Sequence, residues 1–357
     1  MFSLKPDFIE AQKRFEAFWA CDVTDRPLVT NITFPVDNPV PVPQKRYDTL
    51  KDKWLDIDFR VKEISTNLHN KMFYADTLPI AKTNFGPEIF SAWCGCSYNF
   101  GETTAWSDPC VHDWEKDYDK AVLNMDHPLF RLLEDFTNKL LVEGKGHFIT
   151  AMTDFHVGGD HLAALRDPSN LAMDMIENPD YVKRKLEDSQ QEYFKVYDHF
   201  YNIIRSHNVP ITTWMPLVSN EKYYVVSNDF SCMVSNKMFE EFFLDGIINE
   251  CRFLDKSMYH LDGQSALRHL DMLLSIKELN GVQWVPGAGN EGFERWIPVY
   301  QKIQRAGKSI FIDGIDLSNI HLLFENLRPE GVWISGLKSI SSKEEADYAL
   351  KRITNWK

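Results

Sequence analysis

The sequence predicts an α/β protein, and specifically a distorted (β/α)8 barrel with an irregular, partly helical N-terminal extension. From residue 146 onward, short apolar runs alternate with longer amphipathic segments, which is the pattern of parallel strands joined by crossover helices. The length of 357 residues accommodates one barrel with insertions. An open doubly wound sheet is the alternative. Its dinucleotide-binding form is weakened because no Gly-x-Gly-x-x-Gly turn follows a predicted strand.

The predicted elements follow this alternation in order. Strands are expected at 26–34, 146–153, 210–215, 257–262, 281–286, 309–313 and 331–335, with an eighth at 223–227 or near 72–76. Helices are expected at 170–206, 236–254, 266–279, 293–306, 317–327 and 342–355. Asn236 and Ser342 suit helix N-caps because their side chains can accept backbone hydrogen bonds, whereas Gly307 and Gly331 stand just beyond helix ends.

Residues 1–145 are less regular than the rest. The segment 6–19 predicts an amphipathic helix with its proline in the first turn, and 36–43 is proline-rich and expected to be extended. No low-complexity linker or internal repeat divides the chain. Residues 1–357 are therefore predicted to form a single domain, in which 1–145 supplies the first strand and a cap over one end of the barrel.

Composition narrows the class of protein. The net charge of −13 disfavours nucleic-acid and anionic-membrane partners, since both require basic surface. The N-terminus lacks the features of a signal peptide, and no apolar run reaches membrane-spanning length. The six cysteines are too few and too scattered for a disulfide scaffold. We expect a soluble cytoplasmic protein that acts on a small molecule; a homodimer is one option for its oligomeric state.

The segment 257–263 carries the most informative pair of residues. His260 and Asp262 are two positions apart near the end of a predicted strand, so both side chains point to the same face. Gly263 then ends the strand. This arrangement is typical of a catalytic or metal site. The alternative is a core histidine that is hydrogen-bonded to a turn-capping aspartate.

Other polar and aromatic residues follow the ends of predicted strands, where the chemistry of a barrel enzyme belongs. Asp154 is a further candidate for catalysis. The candidates for substrate binding are Trp106, His156, Trp214, Asp229, Trp284, Asp313 and Trp333. Two simpler explanations stay open: Asp313 is also suited to cap a helix, and the tryptophans are also suited to packing.

The segment 233–263, which has a Phe-Glu-Glu-Phe helix and a strand ending in His-x-Asp-Gly, resembles the uroporphyrinogen decarboxylase superfamily. Asp76, within Tyr-Ala-Asp-Thr-Leu-Pro, looks like the catalytic aspartate of the family's Ser-Asp-Ile-Leu segment. The resemblance spans most of the chain, is strongest from 146 to 290, and implies a distorted (β/α)8 barrel. It adds Asp76 to the catalytic candidates.

The chain lacks residues that each of the two main reaction types of that superfamily would require. The segment 31–35 lacks the arginines, and 335–339 lacks the histidine, that the resemblance would require for a uroporphyrinogen decarboxylase. The relatives that move methyl groups to or from a corrinoid protein or a thiol use zinc, with a His-x-Cys pair and a second cysteine. Here these positions hold Asp262 and Ser335. The resemblance therefore implies His260 and Asp262 as ligands of zinc or another divalent metal, without thiolates.

Three functions remain open at this point. The favoured one is a small-molecule methyltransferase or demethylase that passes a methyl group to a corrinoid carried by a partner protein, or to a thiol. The second is a metal-free decarboxylase using Asp76 or Asp154. The third is a glycoside-handling barrel using Asp154, Asp262 and tryptophans. A separate zinc site at Cys94, Cys96, Cys110 and His112 is disfavoured by its one-residue Cys spacing.

Overall fold

The strands of the computed structural model, which describes residues 2–356, form one six-stranded parallel sheet and three two-stranded pairs. In chain order they are β1 Leu28–Thr30, β2 Thr33–Pro35, β3 Lys71–Phe73, β4 Ile80–Lys82, β5 Ser97–Phe100, β6 Ala105–Asp108, β7 Ile149–Ala151, β8 Tyr223–Ser227, β9 Lys256–Asp262, β10 Gly281–Val285, β11 Ser309–Asp316 and β12 Val332–Lys338. The large sheet has the order β1-β12-β11-β10-β9-β8. The pair β4–β7 is parallel, whereas β2–β3 and β5–β6 are antiparallel.

The helices surround these strands and occupy about half of the remaining chain. They are α1 Phe8–Trp19, α2 Leu50–Leu55, α3 Ile57–His69, α4 Ile89–Trp93, α5 Trp114–Asp117, α6 Pro128–Glu143, α7 Gly159–Arg166, α8 Pro168–Glu177, α9 Pro179–Ser206, α10 Asn236–Phe239, α11 Asp245–Phe253, α12 Leu270–Leu274, α13 Ile297–Arg305, α14 Ile320–Asn326 and α15 Lys343–Thr354. A π-helical turn, Glu240–Leu244, joins α10 to α11.

Local sequence signals explain several helix ends. Ser342 caps α15, as predicted, in a reciprocal capping box with Glu345. The cap of α10 is Ser235, whose hydroxyl accepts from the backbone N–H of Met238, so the prediction of Asn236 was wrong by one residue. Serine and asparagine are nearly equivalent as caps, and sequence alone does not choose between neighbours.

Two predicted strands differ in the structure. The run 210–215 is not a strand of any sheet; it makes only an isolated antiparallel bridge between Ile211 and Ser219. Pro210, which begins the run, and Pro216, which follows it, lack the N–H that a ladder needs. The predicted strand 26–34 is divided into β1 and β2 at Asn31, which has a φ of +60°.

The predicted α/β class is confirmed, while a closed barrel is not shown. Pairing between strands is interrupted on both sides of the β4–β7 pair. Single backbone hydrogen bonds lie near the gaps: the N–H of Asp76 donates to the carbonyl of Val29 at 2.9 Å, and that of Met152 donates to Thr212 at 2.8 Å. The strand β8 is buried along its full length, as a parallel strand covered on both faces should be.

The first 145 residues cover two parts of the molecule. Helix α1 packs on the sheet through Trp19, whose indole N–H donates to the carbonyl of Val218 at 2.8 Å. The β5–β6 hairpin is held by Glu88, which accepts from the backbone N–H and the hydroxyl of Ser107, each at 2.7 Å. This contact joins the hairpin to the residue that precedes α4. Across residues 2–356, every helix is too short or too polar to cross a membrane.

Candidate active site

A cleft of about 670 Å³ opens where β7, β8 and β9 end. Its wall includes Glu88 and Ser107 from the cap, Asp154 and His156 from the segment after β7, Asp160 and His161 from α7, and Trp214, Ser227, Asp229 and His260. The sheet thus delivers several of the predicted site residues to one place. Ligands commonly bind at this edge of parallel sheets because the loops that follow the strands converge there.

Three side chains at this edge are arranged as a candidate metal centre. One ligand atom from each of Asp229, His260 and Asp262 lies within 4.8 Å of the others, and residues 2–356 contain no other such group of three or more histidine, cysteine or acidic side chains. The alternation of β9 puts His260 and Asp262 on one face. Asp229 comes from the turn after β8, where Ser227 is the register partner of His260.

The ring of His260 is oriented by the neighbouring strand. Its Nδ1 lies 2.6 Å from Oε1 of Gln283, which is its register partner on β10. Because that amide oxygen can only accept, the neutral tautomer that fits this contact has its proton on Nδ1 and its lone pair on Nε2. Nε2 faces Asp229, with 3.9 Å to Oδ1. The indole of Trp214 meets the ring edge-on at a centroid distance of 5.4 Å. A histidine fixed in this way is prepared to bind a metal ion through Nε2.

His156 and Asp154 form the second polar pair of the cleft. Nε2 of His156 lies 2.8 Å from Oδ1 of Asp154, and both side chains are mostly shielded from solvent. Burial by itself disfavours the imidazolium. The charges of Asp154, and then of Asp160 and Asp229, outweigh that effect and raise the pKa of His156 to about 9. At neutral pH His156 is therefore a protonated acid inside the cleft.

Asp160 holds the turn that carries Asp229. Its carboxylate accepts from the backbone N–H groups of Asp229 at 3.0 Å and Phe230 at 2.8 Å. Burial, and then the nearby charge of Asp229, raise the pKa of Asp160. The cleft thus gathers carboxylates that repel one another, an arrangement typical of sites that receive a cation.

A second lobe of about 500 Å³ meets the first at Trp214, which lines both. It is lined by Asn31, Lys82, Gln283, Trp284, Phe311, Asp313, Trp333 and Ser335 among others. Trp333 is fully buried and donates its indole N–H to Thr30 Oγ1 at 2.8 Å, which fixes this aromatic wall. Burial raises the pKa of Asp313. The lobe combines rigid aromatic surface with a few polar groups.

Three predicted site residues line neither lobe: Asp76, Trp106 and Asp262, the last of which belongs to the cluster with Asp229 and His260. Asp76 is fully buried and forms ion pairs with Arg26 and Arg14, and it also accepts from the backbone N–H of Val29 at 2.9 Å. These contacts give it a structural part, and its catalytic role stays a prediction. Trp106 is 44 % exposed on β6 and does not line the cleft.

Sequence reasoning missed Gln283, Ser227 and Asp160. Gln283 and Ser227 are polar residues inside otherwise apolar strand runs, and that contrast was the available signal. Strand register, which the sequence does not display, is what puts both residues beside His260. Asp160 follows the Gly158-Gly159 turn, where an acidic residue is also typical of the first turn of a helix. Its sequence position therefore does not indicate a site residue.

Comparison with solved structures finds a methyltransferase from Methanosarcina mazei, with a TM-score of 0.57 and 10 % sequence identity over 99 % of each chain. No protein-family profile and no curated protein sequence matches the chain. At this identity the likeness shows the fold alone: the α/β architecture of the methyltransferase extends over the whole chain.

Proposed function

We propose that this protein is a metal-dependent methyltransferase or demethylase acting on a small molecule. The observation that carries the proposal is the cluster of Asp229, His260 and Asp262, of which Asp229 and His260 line the cleft, with His260 oriented by Gln283. The solved structure of similar fold is a methyltransferase, which supports this class of chemistry in outline. We further propose that the large sheet and the β4–β7 pair are parts of one distorted (β/α)8 barrel.

The donor set fits zinc or a harder divalent ion. One imidazole nitrogen and two carboxylates supply nitrogen and oxygen ligands and leave room for substrate, as in catalytic sites with an open coordination position. The half-exposed side chain of Asp229 leaves the cluster accessible from the cleft. A bound divalent ion would supply Lewis acidity toward the oxygen, nitrogen or sulfur that carries the methyl group.

The residues of the chain would donate the proton that the reaction needs. As the bond between the methyl carbon and its heteroatom breaks, both electrons stay on the heteroatom, and His156 donates a proton to it. Asp154 holds the imidazolium in place at 2.8 Å. A reduced corrinoid carried by a partner protein, or a thiolate, would accept the methyl group, and the second lobe offers space for a small thiol beside Trp214.

Metal analysis tests the proposal directly. We expect zinc or another divalent metal at about one ion per chain in purified protein, and at least tenfold weaker zinc binding in His260→Ala and in Asp262→Ala. His321→Ala, an exposed histidine on α14, is the matched control and should bind zinc as the wild type does. Full occupancy in both cluster variants would remove the metal role.

A spectroscopic assay tests the reaction itself. Cob(I)alamin incubated with the metal-loaded protein and a panel of methoxylated, N-methylated and S-methylated small molecules should give methylcobalamin with at least one of them. His156→Gln should slow that formation, because the leaving heteroatom then loses its acid. Metal binding without methyl transfer to cob(I)alamin or to an added thiol across the panel would count against this reaction class.

A further inference from the structure

A second cavity of about 270 Å³ lies behind the main cleft, between α9, the π-helical turn and α11. Ser227 belongs to the walls of both spaces. The inner end of the second cavity is formed by buried Asn228 and Glu250. Its outer end is formed by exposed Glu187, Glu241 and Asp245. The proposed methyl-transfer chemistry makes no use of this cavity.

Asn228 is the strongest sign that the cavity receives a ligand. The residue is 3 % exposed, yet neither its amide nitrogen nor its amide oxygen has a hydrogen-bond partner. A buried polar group without a partner costs about 1–3 kcal/mol, so such groups are rare unless something else satisfies them. Gly159 packs against the amide: a Cβ at position 159 would lie 2.3 Å from Asn228 Oδ1.

Glu250 supplies an acid to the wall of the same cavity. The residue is 6 % exposed, and burial raises the pKa of its carboxyl to about 8, against a smaller opposing effect of His156. At neutral pH the group is mainly protonated. A cation placed against it would favour the carboxylate and release the proton.

The outer end is acidic. Glu187, Glu241 and Asp245 line it together with Lys183, which is paired with Glu241 at 2.7 Å. The net charge of −13 adds to the attraction for cations. The π-helical turn widens the helix where it borders this space, and such turns are frequent at functional sites.

We propose that this cavity is a binding site for a small primary ammonium compound that also carries a neutral hydrogen-bonding group. The ammonium group would lie against Glu250 and the acidic outer end, and the neutral group would pair with the amide of Asn228. The site is distinct from the metal cluster and does not depend on the proposed methyl transfer.

Calorimetric titration with ethanolamine tests the site, and ethylene glycol is the matched neutral probe. Protein treated with a chelator is used, so that the result is independent of the metal cluster. We expect saturable one-to-one binding of ethanolamine, at least tenfold weaker binding of ethylene glycol, and release of most of one proton near pH 7, measured in buffers of different ionisation enthalpy.

Two variants locate the binding. Glu250→Gln should weaken ethanolamine binding at least tenfold and abolish proton release, and Gly159→Ala should weaken binding by displacing the amide of Asn228. Glu177→Gln, an exposed carboxylate on α8, should bind as the wild type does. Thermal unfolding of each variant verifies folding. Absent binding to the wild type, equal affinity for ethylene glycol, or unchanged binding in folded Glu250→Gln would overturn the proposal.

Discussion

Replacing Asp154 by asparagine should return His156 to a nearly ordinary titration. The pKa of His156, raised to about 9, exceeds the ordinary value of 6.5 because nearby carboxylates outweigh burial. That difference corresponds to about 3 kcal/mol of preference for the imidazolium in the folded protein. An opposite charge at such a distance typically accounts for about one to three pH units. Asp154→Asn should therefore lower the pKa of His156 by about that amount.

The sign of the stability effect follows from the raised pKa. The contribution of His156 to the free energy of unfolding is fully present below pH 6.5 and is lost as the pH rises through about 9. At pH 6, Asp154→Asn should lower the free energy of unfolding by about 1–3 kcal/mol. At pH 10 the difference should vanish or reverse, because an unpaired Asp154 then stays close to other carboxylates.

Nuclear magnetic resonance of the histidine side chains measures the titration, with His156 assigned from the signals that are missing in His156→Gln. Urea unfolding at pH 6 and pH 10 measures the stability. The control is Asp271→Asn, an exposed carboxylate on α12. A His156 midpoint that stays near 9 in Asp154→Asn, or a stability loss that is equal at both pH values, would refute the reasoning.

Three further predictions follow from other contacts. Asp76→Ala should lower the free energy of unfolding by about 3–5 kcal/mol, because it leaves buried arginine charge unpaired. Asp25→Ala, which removes the exposed ion-pair partner of Arg14, should lower the free energy of unfolding by at most about 1 kcal/mol. Urea unfolding measures both variants. Gln283→Leu should weaken zinc binding about 10- to 100-fold in a competition titration, because it frees the imidazole of His260, the proposed ligand. Oxidised glutathione should link Cys96 to Cys110, whose sulfur atoms lie 3.1 Å apart, and non-reducing peptide mapping should detect the link, which Cys110→Ser removes.

The fold was predictable where local patterns decide it. Apolar runs between capped helices located β9 to β12, since buried parallel strands are short and apolar, whereas β8 occupies one of the two places expected for an eighth strand. The prediction of a strand at 210–215, around Ile211, was wrong. Apolar content alone predicted it, and this measure does not take account of the prolines at the two ends of the segment, which cannot donate to a ladder. It also missed β4, three residues long, whose identity depends on its pairing with β7.

The candidate site was predictable only within single segments. The spacing of His260 and Asp262 fixes their common face, and the spacing of Asp154 and His156 suggests the other pair. What joins the segments is strand register. Gln283 reaches His260 because the two residues are partners on adjacent strands, and neither residue type indicates that pairing in advance. Contacts of this kind depend on tertiary structure, so a single sequence does not reveal them.

The charges of the cleft also bear on the class of substrate. Asp154, Asp160 and Asp229 line the first lobe, and within residues 2–356 Lys82 is the one lysine or arginine that lines either lobe. A substrate with many carboxylates would lose its hydration there and find almost no charge-assisted partner in return. A divalent ion at the proposed metal site of Asp229, His260 and Asp262 would instead relieve the repulsion among these acids. The electrostatics therefore favour a neutral or cationic substrate over a polycarboxylate such as a porphyrinogen.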